Sequence, residues 1–279
     1  MKIDFHCHVF PPFVISNPEK YFRRDKGFST LYLGTGSKMV TAEQLIESMD
    51  TAEIERAVIL NVGWADLELS IETNDYLLEK ANQYPDRLTA FCGINPVGGD
   101  GYLAEMERCA KAGAKGIGEL HPDLQGFDLA NVEMMGPFME MAKNFGLTVL
   151  THSSEPVGHY YPGKGLTNPG KLYTFGKAFP DVPIVMAHWG GGLPFYWLMP
   201  EVRDELQNVY FDCAASPFLY RSSVFSVVVG LVGADRVLFG SDYPLLSQKR
   251  VVREVEQTSL SGKEKGRVFW GNAMELLGT

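Results

Sequence analysis

The chain has 279 residues, of which 45% are hydrophobic and 21% are charged, proportions typical of a folded globular protein. Its 34 acidic and 25 basic residues give a formal net charge of −9, and no run of Lys or Arg exceeds a pair, which argues against a nucleic-acid or anionic-membrane partner. The longest strongly apolar run, residues 224–233, is too short to span a bilayer, and the N-terminus lacks a basic region followed by an apolar run. We therefore predict a soluble, cytoplasmic protein that forms one domain over residues 1–279.

Eight short apolar runs alternate with amphipathic helical patterns along the chain. The predicted strands are residues 2–9, 56–63, 87–95, 114–122, 147–154, 183–190, 209–215 and 236–244. The predicted helices are residues 41–54, 72–85, 102–113, 132–146, 169–181, 196–206, 221–233, 247–259 and 262–278. Because near-continuous apolar strands that alternate with helices form parallel sheets, these units predict an α/β protein with a (β/α)8 TIM barrel. An open doubly wound sheet is the alternative, but no GxGxxG loop follows the first strand.

Two connections are unusually long, and on a barrel both would border the face at the carboxyl ends of the strands. Residues 10–40 separate the first strand from its helix, and residues 153–168 follow the fifth strand. Long structureless loops in compact domains tend to be functional. The four cysteines are scattered, with no CxxC pair, and we expect buried free thiols rather than a disulfide framework.

Polar residues fall at the carboxyl ends of several predicted strands, which is where barrel enzymes place their catalytic groups. These residues are His6, His8, Glu119, His152, His188 and Asp242. Each has an ordinary structural explanation when taken alone, since a strand histidine can be hydrogen-bonded in the core and Asp242 can cap a helix. Together, His6, His8 and His152 with Asp242 supply three imidazoles and a carboxylate, a set suited to Zn²⁺ or a similar divalent ion. His121 and His159 stay open, the first as a cleft or loop residue and the second on the loop 153–168.

Six segments of the sequence resemble the amidohydrolase superfamily: IDFHCH, ELHP, LTHSSEP, AHWGGG, LFGSDYP and GNAMELLG. Within it, the chain is similar to the amidohydrolase-related branch, which includes aminocarboxymuconate-semialdehyde decarboxylase, resorcylate-type decarboxylases and several lactonases and other hydrolases. The resemblance implies that His6, His8, His152 and Asp242 are metal ligands. It also implies that His188 polarises the substrate or moves a proton.

One position departs from a superfamily pattern. Members with two metal ions often carry a carboxylated Lys on strand 4, and the corresponding residue here is Glu119. This carboxylate would bridge two ions, with His152 and His188 on the second, or face the substrate as an outer group. We favour one ion over two and expect Zn²⁺, with Mn²⁺ or another divalent ion as alternatives.

The expected reaction is hydrolysis of an amide, lactone or related bond in a small carboxylated or cyclic substrate. A metal-activated water would attack the carbonyl, Asp242 would move its proton, and His188 would stabilise the developing negative charge. The alternative is a metal-dependent, non-oxidative decarboxylase, in which protonation at carbon precedes the loss of CO₂.

Candidate substrate-binding residues are harder to place. A carboxylated substrate needs a cation, and the candidates are Arg221, Arg23, Arg24 and Lys164. His159 and Tyr160, on the loop 153–168, are also predicted to contact the substrate. An aromatic wall would come from Tyr160, Tyr161, Phe195, Tyr196 and Trp197, although the segment LPFYWLMP suits a subunit contact equally well, and we predict a homodimer.

Two further classes of protein also fit an HxH strand. A phosphoesterase of the polymerase-and-histidinol-phosphatase type would need more downstream ligands than this chain supplies. A non-catalytic metal-binding or scaffold protein is the other class, but every expected ligand type is present, and a purely structural protein would have no reason to collect these groups at one end of a barrel. Metal analysis separates the classes, because the phosphoesterase would bind three ions and the scaffold none.

Overall fold

The computed structural model describes residues 1–99 and 101–278, and within them eight parallel strands follow one another around a barrel. The strands are β1 (Ile3–His8), β2 (Arg56–Leu60), β3 (Leu88–Cys92), β4 (Gly116–Leu120), β5 (Thr148–Thr151), β6 (Ile184–Met186), β7 (Val209–Asp212) and β8 (Val237–Leu238). The sheet returns to β1 through Phe5, whose backbone N–H donates to the Phe239 carbonyl at 2.8 Å. The (β/α)8 architecture predicted from the sequence is confirmed.

Helices connect the strands on the outside of the barrel. The α-helices are Pro12–Ser16, Pro18–Arg24, Lys26–Tyr32, Ala42–Ala52, Leu67–Gln83, Tyr102–Lys111, Pro122–Gln125, Val132–Phe145, Pro169–Ala178, Pro200–Glu205, Ser216–Leu219, Val224–Val232, Gln248–Glu256, Gly262–Gly266 and Asn272–Leu277, and Ala187–Gly190 forms one irregular turn. Short 3₁₀ turns lie at Leu193–Tyr196 and Ala234–Arg236, and a π-helical turn at Arg267–Gly271 divides the predicted helix 262–278. A capping box begins the helix Ala42–Ala52, since Thr41 Oγ1 accepts from the Gln44 backbone while the Gln44 side chain accepts from the Thr41 backbone.

The connection 10–40 is not the structureless loop that the sequence analysis predicts. It contains three short helices, two of which begin with a proline in their first turn, where no hydrogen bond of the helix is lost. The third is capped by Asp25, whose carboxylate accepts from the Phe28 backbone at 2.7 Å. Phe10, Phe28 and Trp64 give this segment a small apolar core of its own beside the barrel mouth. The connection 153–168 contains no helix or strand.

Apolar side chains fill the lower half of the barrel and leave its upper half to polar groups. Ile3, Phe5, Phe91 and Leu150 belong to the interior cluster, and the rings of Phe5 and Phe91 meet edge to face at 5.5 Å. A second, larger cluster lies between the sheet and the surrounding helices and includes Cys7. The barrel interior is therefore a packed floor beneath the carboxyl-end face.

A register shift in β1 places both of its histidines inside the barrel. Phe5 already points inward, and the pairing of β1 with β2 shifts between Asp4 and Cys7, so that the two histidines follow it into the interior. Gly240 makes room for the first, because a Cβ at position 240 would lie 3.0 Å from the His6 Cβ.

All four cysteines are free and buried, as predicted. No helix in the described part of the chain is long and apolar enough to cross a membrane.

Candidate metal centre and its cavity

A cavity of about 350 Å³ opens at the carboxyl ends of the strands and reaches the polar groups at the centre of the barrel. Its floor includes His8, Glu119, His152, His188 and Asp242. Its walls come from the two long connections, from Val62 and Gly63 after β2, and from residues that follow β7 and β8. The barrel mouth thus holds a partly open cavity of a size suited to a small molecule.

The first group of candidate ligands is formed by His6, His8 and Glu119. The Nε2 atoms of the two histidines lie 3.1 Å apart, and Glu119 Oε2 lies 3.7 Å from the first and 3.5 Å from the second. Asp242 Oδ1 approaches the same two nitrogens at 3.8 and 3.4 Å. The side chains of His6, His8 and Glu119 are at least nine-tenths buried, and 11% of the Asp242 side chain is exposed.

The second group is formed by Glu119, His152 and His188. Glu119 Oε1 lies 3.1 Å from His152 Nδ1 and 3.4 Å from His188 Nε2. The two carboxylate oxygens of Glu119 therefore face different histidine pairs. Of the four ligands predicted from the sequence, His6 and His8 belong to the first group and Asp242 lies beside it. His152 belongs to the second group, with Glu119 and His188, the two residues predicted as a second metal site or outer groups.

The donor set fits a divalent cation. Imidazole nitrogens and carboxylate oxygens converge with no Lys or Arg paired to Glu119 or Asp242 in the described residues. Each of the two groups brings three ligand atoms within 4.8 Å of one another. Because these buried atoms are of the types that bind divalent ions, the residues could hold a metal ion.

Asp212 ends β7 and contacts a member of each group of candidate ligands. It is not among the site residues predicted from the sequence. Its Oδ2 lies 2.8 Å from His6 Nδ1, and its Oδ1 accepts from the backbone N–H of His188 at 2.9 Å and of Ala214 at 3.0 Å. The contact between Asp212 and His6 requires a proton on Nδ1. In neutral His6 the Nε2 atom therefore carries the lone pair, which faces the centre. The signal was present in the sequence, as an acidic residue at the end of the apolar segment VYFD.

The backbone of His188 and Asp242 adopts the left-handed region. Their φ angles are 56° and 62°, values that are uncommon for residues other than glycine, although Asp and His tolerate them better than most. His188 is further fixed through Nδ1, which lies 3.1 Å from the Ala214 carbonyl and donates to it. Its Nε2 is then the atom that faces Glu119 and the cavity.

The electrostatics of the centre favour bound positive charge. Burial raises the pKa of Asp242, but the hydrogen bond from His8 and the charges of His6 and His188 outweigh it and lower the pKa to about 2. Burial likewise opposes ionisation of Glu119, whose pKa the histidines nevertheless hold well below its ordinary value. Burial lowers the pKa of His188, but Glu119 and Asp242 outweigh it and raise the pKa to about 9. A site with two ionised, buried carboxylates attracts protons or a metal ion.

The family model named Amidohydrolase matches residues 3–279. The chain belongs to this family.

Several proteins similar to this chain are decarboxylases. A curated relative, gamma-resorcylate decarboxylase from Polaromonas sp., is 21% identical over 251 residues, which cover 75% of this chain and 76% of the relative. A structure of 5-carboxyvanillate decarboxylase from Novosphingobium aromaticivorans, in complex with manganese and a nitrobenzoic acid, has a TM-score of 0.83 at 18% identity and covers 100% and 96% of the two chains. A structure of 2,6-dihydroxybenzoate decarboxylase with 2,6-dihydroxybenzoate has a TM-score of 0.79 at 17% identity, covering 100% and 99%. At this identity the structures show the shared fold.

Two cavity residues were left open or missed by the sequence analysis. His121, directly after β4, is 2% exposed, and its ring stacks on that of His152 with centroids 4.1 Å apart and planes 10° apart. Burial and the neighbouring His152 lower the pKa of His121 to about 3. Tyr32 also lines the cavity, and burial together with the charges of Asp242 and Glu119 raises the pKa of its hydroxyl.

The structure brings only part of the predicted substrate-binding set to the cavity. His159 lines it, but the Tyr160 side chain is 79% exposed and Tyr161 takes its place in the wall. Arg221 lines a separate surface pocket of about 140 Å³ with Phe195 and Tyr220.

Two of the other predicted cations, Arg24 and Lys164, are engaged elsewhere, and Arg23 does not line the cavity. Arg24 forms ion pairs with Asp66 and Glu68, and Lys164 Nζ donates to the carbonyls of Val157 and His159 within its own loop. Among the described residues that line the cavity, Lys38 is the one Lys or Arg.

The loop 153–168 is tied to the end of β4 by Asp123. Its carboxylate accepts from the backbone N–H of Leu166 at 2.8 Å and of Thr167 at 3.2 Å, and from the Thr167 hydroxyl at 2.8 Å. Tyr161 is anchored in turn through its hydroxyl, which donates to Glu155 at 3.0 Å. These contacts set the position of the loop over the cavity.

Proposed function

We propose that this member of the family is a metal-dependent, non-oxidative decarboxylase of a small aromatic carboxylic acid. The observation that carries the proposal is the position of His188, whose ring is fixed through Nδ1 and presents Nε2 to Glu119 and the cavity. The named relatives support the same reaction, and they favour it over the hydrolysis that the sequence analysis ranks first.

His188 supplies the proton that decarboxylation requires at carbon. In the imidazolium form Nδ1–H donates to the Ala214 carbonyl and Nε2–H points to Glu119, so both protons are held. Transfer of the Nε2 proton to the ring carbon that carries the carboxylate lets the bond to CO₂ break, and the bonding electron pair restores the aromatic ring. Glu119 favours return of a proton to His188 from solvent.

We propose that His6, His8 and Asp242 hold a single divalent ion, with His152 as the further ligand. When bound, the ion supplies positive charge that binds and orients the substrate's oxygen atoms. Mn²⁺ accompanies the decarboxylase relatives, whereas Zn²⁺ is the ion that the ligand set predicts. Lys38, at the cavity wall, is the candidate cation for a substrate carboxylate.

Hydrolysis is retained as a second candidate because Glu119 faces both histidine groups. A carboxylate shared between two sets of ligands is suited to two ions, a centre that activates water for hydrolysis. In that case His188 would be a ligand and would not be free to donate a proton.

Product analysis together with metal quantification tests the proposal. Protein loaded with Mn²⁺ or Zn²⁺ is incubated with 2,6-dihydroxybenzoate, 5-carboxyvanillate and a set of lactones and amides. We expect CO₂ and the decarboxylated phenol, one ion per chain, and a loss of roughly 100-fold or more in kcat for His188→Asn. Hydrolysis products without CO₂, together with two ions per chain, would establish the second candidate instead.

A homodimer remains a further proposal. The 3₁₀ turn after β6 and the residues that follow it expose Phe195, Tyr196, Leu198 and Met199, at 42%, 50%, 80% and 49%. Exposed apolar clusters of this kind often mark interfaces. Sedimentation equilibrium should give twice the 31.0 kDa mass of the chain, and Leu198→Glu should return it to the monomer.

A further inference from the structure

We infer that His121 binds a hydroxyl group of the substrate and thereby selects hydroxylated over unsubstituted positions on the ring. The inference rests on the proposed function for the aromatic acid itself. His121 directly follows Glu119–Leu120 at the end of β4 and lines the same cavity as the candidate metal centre.

The ring of His121 is held in one orientation. Its face is stacked on His152, with centroids 4.1 Å apart, and its backbone N–H donates to Gln125 Oε1 at 2.8 Å. Gln125 is itself fixed, because its amide nitrogen donates to the carbonyls of Trp64 and Ile94. On another side lies the loop 153–168, since a Cβ at Gly163 would be 3.5 Å from His121 Nε2.

Neither ring nitrogen of His121 has a hydrogen-bond partner among the described residues, although the residue is 2% exposed. Such an arrangement is rare in folded proteins unless a ligand or an ordered water completes it. Because the ring lines a cavity that extends to the candidate metal centre, a substrate in that cavity is positioned to supply the missing partner.

The chemistry of the ring selects the group that it binds. A neutral imidazole has one N–H donor and one acceptor nitrogen, and a hydroxyl likewise donates and accepts. A carboxylate can only accept hydrogen bonds, so it would leave the acceptor nitrogen of the imidazole without a donor. The hydroxyl is therefore the better complement, while the substrate carboxylate is left to Lys38 or the metal ion.

Two variants separate hydrogen bonding from packing. His121→Phe keeps a flat ring that can stack on His152 but has no polar atom, whereas His121→Asn keeps one donor and one acceptor. The probes are 2-hydroxybenzoate and its 2,3-, 2,4-, 2,5- and 2,6-dihydroxy counterparts, each of which adds one hydroxyl. Dissociation constants are measured by calorimetry on the metal-loaded full chain, and metal content is measured for every variant.

In the wild type, at least one dihydroxybenzoate should bind more tightly than 2-hydroxybenzoate by about 2- to 10-fold, the range of one hydrogen bond between neutral groups. His121→Phe should lose that gain while its affinity for 2-hydroxybenzoate and its metal content change little, and His121→Asn should restore part of the gain. A gain that persists in His121→Phe overturns the inference, as does a wild type that shows no gain or binds none of the benzoates. If the expected gain in affinity is seen but no CO₂ is released, the role of His121 is supported and only the proposed decarboxylation is contradicted.

Discussion

Asp212 Oδ2 lies 2.8 Å from His6 Nδ1, and through this contact the end of β7 orients a candidate ligand on β1. Both side chains are fully buried. Carboxylates in this position fix the histidine tautomer and raise its basicity toward a metal ion. The same carboxylate holds the backbone of His188, so one residue positions a candidate ligand and the candidate proton donor.

Replacement of Asp212 by Ala should weaken metal binding by about 10- to 100-fold, because His6 loses the partner that fixes its tautomer. The dissociation constant of Mn²⁺ or Zn²⁺ is measured by competition with a chelating dye. Asp204→Ala is the matched control, since this aspartate is 63% exposed and contacts only Arg203 among the described residues. Equal metal affinity in the two variants would remove Asp212 from the centre.

Replacement of Asp242 by Asn should reduce kcat by at least about 100-fold in either proposed reaction, because the site loses a charged candidate ligand and proton acceptor. The fold should be retained, since Asn tolerates the left-handed backbone at φ 62°. Activity and Tm are measured on the same preparation. A variant with full activity would show that Asp242 has neither role.

Replacement of Asp123 by Ala should release the loop 153–168 from the end of β4. The backbone amides of Leu166 and Thr167 lose their acceptor, so their hydrogen exchange should accelerate while exchange in the barrel strands is unchanged. Asp181→Ala serves as the control, because this exposed aspartate pairs with Lys143 and both residues lie outside the loop 153–168. Unchanged exchange in the loop would mean that other contacts hold it.

The sequence predicts the barrel and the candidate ligands because both obey simple periodicity. His6 and His8 share a face of one strand, and each of the other selected residues ends an apolar run, so the eight-strand pattern brings them to one face of the molecule. Asp212 follows the same rule but was overlooked, because its contact with His6 joins β7 to β1, which are not neighbours in the sheet. That information lies in the closed sheet rather than in the segment VYFD.

The substrate-binding side is less predictable because loop residues follow no period. Tyr160 and Tyr161 are adjacent, yet one points to solvent and the other into the cavity. Arg24 was a reasonable cation for a substrate, but Asp66 and Glu68 reach it from a distant part of the chain. The helices within 10–40 are each five to seven residues long, too short for a helical period to be recognised.

Glu105 should make stability depend on acid pH. Burial raises the pKa of its carboxyl group, but Arg108 and Asn74 outweigh it and lower the pKa below its usual value. A carboxylate whose pKa is lowered in the folded state stabilises the protein above its unfolded pKa of about 4.3, and this contribution is lost as the pH falls through the folded pKa.

Glu105→Gln should therefore lower the free energy of unfolding by about 1–3 kcal/mol at pH 7, since the bonds from Arg108 and Asn74 lose their charged acceptor. The difference from wild type should narrow below about pH 4. Urea unfolding at several pH values measures it, with the exposed Glu107→Gln as the control. A difference that stays constant with pH would contradict the assignment.

Glu119→Gln should move the pH dependence of kcat. The carboxylate of Glu119 raises the pKa of His188, which reaches about 9 against the cost of burial, so the proton-donating form persists through neutral pH. As the pH rises through that pKa, the imidazolium is lost and kcat should fall. Without the negative charge of Glu119 this fall should begin at a lower pH, nearer to the ordinary histidine pKa of about 6.5.

Metal content measured alongside the pH profile separates the two roles of Glu119. Retention of one ion per chain with a displaced profile is the result expected if Glu119 acts on the His188 proton. If wild type instead binds two ions and Glu119→Gln loses one of them with no displacement, Glu119 is a shared ligand and His188 is not the proton donor. His188→Asn provides the comparison, since it should remove this limb of the profile altogether in the first case.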